Sequence, residues 1–123
     1  MNLTRVEEPG LLFVEGAPDQ PLLASSRDTN RLLEVCFAEQ VGAALLYAAN
    51  LPAAFFDIST GEAGEILQKL RNYRVRLAVV CPPGGVAMSR RFGELLADEL
   101  GGAHFGVFDD RPAACAWLRR HGA

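Results

Sequence analysis

The residues best equipped for chemistry lie in one run, Phe55 to Val80, FFDISTGEAGEILQKLRNYRVRLAVV. Asp57, Ser59, Thr60 and Gly61 make an acidic, hydroxyl-bearing turn ahead of a helix. Free N–H groups at a helix start hold a carboxylate or phosphate, and a hydroxyl there is both a natural N-cap and a phosphate acceptor. For Ser59 and Thr60 both readings stay open. Ser59 and Glu62 fit a capping box, the hydroxyl accepting from the Glu62 amide while Glu62 reaches back. A phosphate would meet those amides, and also repulsion from Asp57 and Glu62. Downstream, Gln68, Lys69, Asn72 and Tyr73 form a polar set that helix propensity does not require. It points to a polar site or a specific packing network, with Tyr73 expected in the core, its hydroxyl bonded. Lys69, Arg71, Arg74 and Arg76 concentrate positive charge, as a solvated face or an anion site. Phe55 and Phe56 stand between a proline loop and an acidic turn. One ring is expected in the core, the other in a partner interface or lining a pocket.

No set of nucleophile, base and metal ligands accompanies these residues. Cys36, Cys81 and Cys115 are odd in number, far apart and flanked by apolar residues. His104 and His121 are not spaced like zinc ligands. The thiols are therefore expected buried, reduced and unpaired, with no metal and no cofactor. Cys81 differs in ending a strand before Pro82-Pro83-Gly84-Gly85, where a thiol can reach a loop, but no histidine stands by to activate it.

The elements that position these residues follow from hydrophobic periodicity. Leu11–Glu15 reads as a strand, Gly16–Asp19 as a turn and Gln20–Ala24 as a short edge strand containing Pro21. Ser25–Asp28 caps a helix over Thr29–Gln40, with Leu32, Leu33, Cys36 and Phe37 at helical spacing and Gly42 as its stop. Ala43–Ala48 is a continuous apolar run, the mark of a strand covered on both faces. The helix after Gly61 turns Ala63, Ile66, Leu67 and Leu70 inward, pairs Glu65 with Lys69 outside, and stops at Asn72. Its Gly64 costs about 1 kcal/mol relative to Ala, which implies a close backbone neighbour. Val75–Val80 is the next strand. A helix capped by Ser89 buries Phe92, Leu95, Leu96 and Leu100 and ends at Gly101-Gly102. Ala103–Phe108 is the last strand. A final helix, capped by Asp109 or Asp110 with Pro112 in its first turn, turns Ala113, Ala116 and Trp117 inward and places Arg119, Arg120 and His121 at its end.

The order β-β-α-β-α-β-α-β-α predicts a single α/β domain over residues 1–123, with a largely parallel sheet, helices on its faces and right-handed crossovers. A chain of 123 residues, half of them hydrophobic, buries a core without disulfides or metal. A net charge of −3 argues against nucleic acid as the main partner. No apolar run reaches the ~20 residues that span a bilayer, so no membrane is expected. The start MNLTRVEEPG has no apolar core of a secretory signal, and the expected compartment is the cytoplasm.

The same run resembles the signature of a bacterial family known as domain of unknown function 4180. The matching residues are Phe55, Phe56 and Asp57; Thr60, Gly61, Ala63, Gly64, Glu65, Gln68 and Lys69; and Asn72, Tyr73, Arg74 and Val75. The likeness extends from Asp28 to Trp117 and Leu118. It departs at Cys81-Pro82, where the family tends to have Gly-Asp, and at Asp98-Glu99-Leu100, where it favours Glu-x-Asn. The family brings no established activity. The element order is also similar to the STAS fold of anti-sigma-factor antagonists and transporter regulatory tails. That likeness implies a phosphorylation switch at Asp57-Ile58-Ser59-Thr60-Gly61, one residue longer than the fold's own turn. The reading that follows is a non-enzymatic regulatory or protein-interaction domain, a homo-oligomer (dimer) with a regulatory protein partner. The alternative is a small-ligand-binding protein or small enzyme using a pocket near Asp57–Gly61.

Overall fold

A computed structural model describes residues 3–57, 61–82 and 104–120. Strands β1 (Leu3–Glu8), β2 (Leu11–Gly16), β3 (Ala43–Tyr47), β4 (Arg76–Val80) and β5 (Phe105–Phe108) form one sheet in sequence order. β1 and β2 are an antiparallel hairpin closed by Pro9-Gly10, and the pairs β2–β3, β3–β4 and β4–β5 are parallel. Gly10, at φ +72°, takes the left-handed position that follows proline in a type II turn.

Side-chain alternation divides the core. Val14, Ala44, Leu46, Leu77, Val79 and Phe105 point to the face covered by α1 (Thr29–Glu39) and α2 (Glu62–Asn72). Leu11, Phe13, Ala43, Leu45, Ala78 and Val80 point to the other, covered by α3 (Arg111–Arg120). Successive parallel strands in sequence order with right-handed crossovers place α1 and α2 on one face, as observed. The expected α/β class with a largely parallel sheet is therefore present.

Several expectations are corrected. The strand beside Leu11–Gly16 is Leu3–Glu8, not Gln20–Ala24. Pro9-Gly10 folds β1 directly onto β2, while residues 17–23 form a loop held by Asn50. Helix α1 stops at Gln40 rather than Gly42, and Phe37, on the flank of its apolar stripe, is exposed. Gly61 is the N-cap of α2, so Glu62 is its first helical residue rather than the third position a Ser59 capping box requires. Ala63, Ile66 and Leu70 are buried, but Leu67 is only half-buried. Gly64 faces open space, with nothing within 4 Å of where a Cβ would stand. In α3 the buried residues are Ala114, Cys115, Trp117 and Leu118; Ala113 and Ala116 are exposed. The Asp110 carboxylate caps that helix by accepting from Ala113 N–H at 2.9 Å. The loop from Pro83 and the helix expected over Ser89–Leu100 lie outside the described residues.

Candidate functional site

The carboxyl edge of a parallel sheet is the usual place for a site. Two residues there interrupt apolar strands: Glu15 near the end of β2 and Tyr47 at the end of β3. Both point to the α3 face, toward Arg111 in the first turn of α3. An arginine at a helix N-terminus is unfavourable against the helix dipole and calls for a carboxylate partner. Glu15 supplies it. Arg111 Nε and Nη2 donate to the two Glu15 oxygens at 3.0 and 3.1 Å, a bidentate pair. The Tyr47 hydroxyl donates to Glu15 Oε2 at 2.5 Å. Glu8 of β1 ties the same helix again, accepting from Arg119 at 2.8 Å and Arg111 at 3.5 Å.

Burial, the hydrogen bond to Glu15 and the Glu15 charge together push the Tyr47 phenol up to about 12, against a smaller opposing effect of Arg111. The Glu15 hydrogen bond likewise raises Arg111. Tyr47 is thus a neutral donor at ordinary pH, not a base, and Arg111 is already neutralised. The thiols are no better placed for nucleophilic work. Burial pushes Cys36 up to about 11; burial and then Asp109 raise Cys81; burial first raises Cys115. All three thiols are unpaired and buried, Cys81 included. Two carboxylates and two guanidiniums balance one another here, and the network clamps α3 to the hairpin. A groove of about 640 Å³ opens beside it, between Leu3 and Thr4 of β1 and the Gly16–Gln20 loop, with Glu15 on its wall.

The residues singled out from sequence do not form one site. Phe55 and Phe56 are 0% and 2% exposed. They stack edge-on at 5.2 Å in a 3-10 turn, and Phe55 also meets Phe105 at 5.9 Å. The expectation that one ring stays outside the core is therefore corrected: the 3-10 turn aims both inward. Asp57 and Gly61 are exposed at the carboxyl edge, and Ser59 and Thr60 lie outside the described residues. Gln68, Asn72 and Tyr73 are exposed and Lys69 half-buried, toward the opposite end of α2. An 11-residue helix is about 16 Å long, so the two groups cannot share a pocket.

Tyr73 is 56% exposed rather than buried, and its ring meets Phe37, itself 54% exposed, edge-on at 5.5 Å. These two are the large apolar side chains left open to solvent among the described residues. They stand at the amino edge, where α1 and α2 end in the same way. Val41 N–H bonds Cys36 C=O and Gln40 N–H bonds Phe37 C=O; Val75 N–H bonds Leu70 C=O and Arg74 N–H bonds Arg71 C=O. This is the Schellman arrangement, whose left-handed residue is normally glycine. Here it is Gln40 at φ 57° and Arg74 at φ 59°, at a cost of roughly 1–2 kcal/mol each. Both residues are exposed, Arg74 directly following Tyr73 and Gln40 three residues after Phe37. Sequence reasoning missed Phe37, Glu15, Tyr47 and Arg111. The usable signals were an arginine opening a helix and polar residues closing apolar strands.

The family model described as Domain of unknown function (DUF4180) matches residues 11–118, and the chain belongs to that family. No curated protein and no solved structure matches it.

Proposed function

We propose that this member of the family is a non-enzymatic, self-associating regulatory or interaction domain that docks a protein partner through the Phe37–Tyr73 surface. The observation that carries the reading is the exposure of that pair among described residues that otherwise bury their large apolar side chains at least in part. Aromatic rings left in solvent supply large contact area at small entropic cost and are enriched in binding hot spots. Their flanks add weight. Left-handed Gln40 and Arg74 keep polar side chains where glycine would relieve strain, as residues retained for contact do. The acidic and thiol groups elsewhere argue the same way, since the Glu15 network is satisfied and the thiols are held protonated.

The finer picture is also a proposal: a STAS-like arrangement acting in the cytoplasm, with Ser59 or Thr60 as a phosphate acceptor at the far end of α2. A domain of that kind needs a partner surface more than a pocket. The reading is tested by placing a photo-reactive phenylalanine analogue at position 73, or at position 116 on the outer face of α3, in the native host. An adduct of one discrete mass from position 73 and none from position 116 is the expected result. No adduct at 73, or the same adducts from both positions, refutes it.

A further inference from the structure

Among the described residues, one edge of the sheet is unpaired. β1 pairs with β2 on one side and with nothing described on the other, and its residues are exposed or half-buried, whereas β5 at the opposite edge buries Phe105 and Gly106 and half-buries Val107 and Phe108. An edge strand presents a row of unpaired backbone N–H and C=O groups, a template for another strand. Which groups face outward follows from the hairpin. Glu8 and Leu11 close its two-residue turn, so Glu8, Val6 and Thr4 bond to β2. The peptide groups of Leu3, Arg5 and Glu7 therefore point away from the sheet.

We propose that β1 pairs antiparallel with β1 of a second copy, the two-fold axis passing through Val6, to give one continuous sheet across a dimer. This rests on the self-association part of the reading above and is independent of the Phe37–Tyr73 surface. The occupant is chosen by charge. Outward peptide groups must oppose outward peptide groups, which leaves few symmetric registers. Centring on Arg5 sets Arg5 against Arg5, and centring on Glu7 sets Glu7 against Glu7, both repulsive; centring on Thr4 sets Arg5 against Leu3 and gives neither charge a partner. Centring on Val6 sets Arg5 opposite Glu7 twice, makes both hydrogen-bonded pairs, and brings Val6 opposite Val6 in a close non-bonded pair. A strand charged only to repel neighbours would carry one sign. Arg5 and Glu7 carry both, in the one spacing that is self-complementary, and both are exposed and share a sheet face. Within its own chain Arg5 stands 3.5 Å from Glu7 and 3.7 Å from Glu39 at the end of α1, so its exposed guanidinium sits on the α1 face where the partner's Glu7 would arrive.

The test uses the full chain in size-exclusion chromatography with light scattering over a concentration series. Wild type should be dimeric, and Arg5→Glu and Glu7→Arg should each weaken the dimer at least about tenfold while keeping the wild-type circular dichroism spectrum and a cooperative melt. An equimolar mixture of the two variants should recover the dimer, because every cross-strand pair is again of opposite sign. Val6→Cys should cross-link under mild oxidant, a close non-bonded pair lying within disulfide reach, while wild type with its buried thiols does not. A wild-type dimer unchanged by either charge variant overturns this interface and leaves self-association standing. A wild type that is monomeric throughout overturns both.

Discussion

Replacing Asn50 by alanine should destabilise the fold by about 2–4 kcal/mol. Asn50 is fully buried, and its side chain closes three backbone groups at once. Oδ1 accepts from Tyr47 N–H at 2.7 Å, and Nδ2 donates to the carbonyls of Ala17 and Gln20 at 2.6 Å each. Its own carbonyl accepts from Leu22 and Leu23 at 3.1 and 2.8 Å, a pair that survives the substitution. Each orphaned buried group costs about 1–3 kcal/mol. Gln20 is exposed and Ala17 half-buried, so water can reach two of the three and the total falls toward the lower end. The loop carries Leu23 into the core, so the loss should be cooperative and visible in urea unfolding as a lower midpoint with little change in slope. Asn50→Asp sharpens the test. A carboxylate facing two carbonyls has its pKa raised in the folded state, so the variant is relatively stable at low pH and weakens as pH rises through that value. A loss below about 1 kcal/mol for Asn50→Ala, or an Asn50→Asp variant indifferent to pH, would refute the reasoning.

Tyr47→Phe should cost about 1 kcal/mol at neutral pH, the net worth of one hydrogen bond. With the folded phenol at about 12 against an ordinary value of 10.0, wild type should lose stability as pH rises between those values, and Tyr47→Phe should flatten that loss. Arg111→Met and Glu15→Gln, alone and combined, should give a coupling of about 1 kcal/mol by thermal melts; the side chains are 38% and 17% exposed, so solvent screens the pair. Zero coupling would remove the clamp. Ile66→Ala should cost about 2–4 kcal/mol in denaturant unfolding and half-buried Leu67→Ala about 1–2, so equal losses would contradict the observed helix rotation.

What was legible in the sequence is what one element determines by itself. The apolar runs of β3 and β4 need cover on both faces wherever they sit, and the period of Ala63, Ile66 and Leu70 fixes one face of α2. What depends on neighbours was not legible. Phe37 follows the helical spacing of Leu33 and Cys36, yet it lies on the flank of the buried stripe in the last turn of α1 and stays outside the core. The Phe55-Phe56 pair looked divided between core and surface because a strand or helix would separate the rings; a 3-10 turn sends both inward. Glu15, Tyr47 and Arg111 are 96 residues apart at their extremes, and only the register of β2 with β3 and the docking of α3 join them. β1 escaped notice because its alternation is weak and its pairing is set by the turn at Pro9-Gly10.

The claim at the centre of this account is that Phe37 and Tyr73 carry the function. Its most direct test is quantitative affinity purification from the native host with tagged wild type and a Phe37→Ser, Tyr73→Ser double variant. Both rings are more than half exposed and their edge-on contact is worth about 1 kcal/mol, so the variant should melt only several degrees below wild type and stay folded at the assay temperature. The account predicts at least about tenfold lower recovery of a protein that wild type retains stoichiometrically. A folded double variant that keeps the same partners in the same amounts would contradict it.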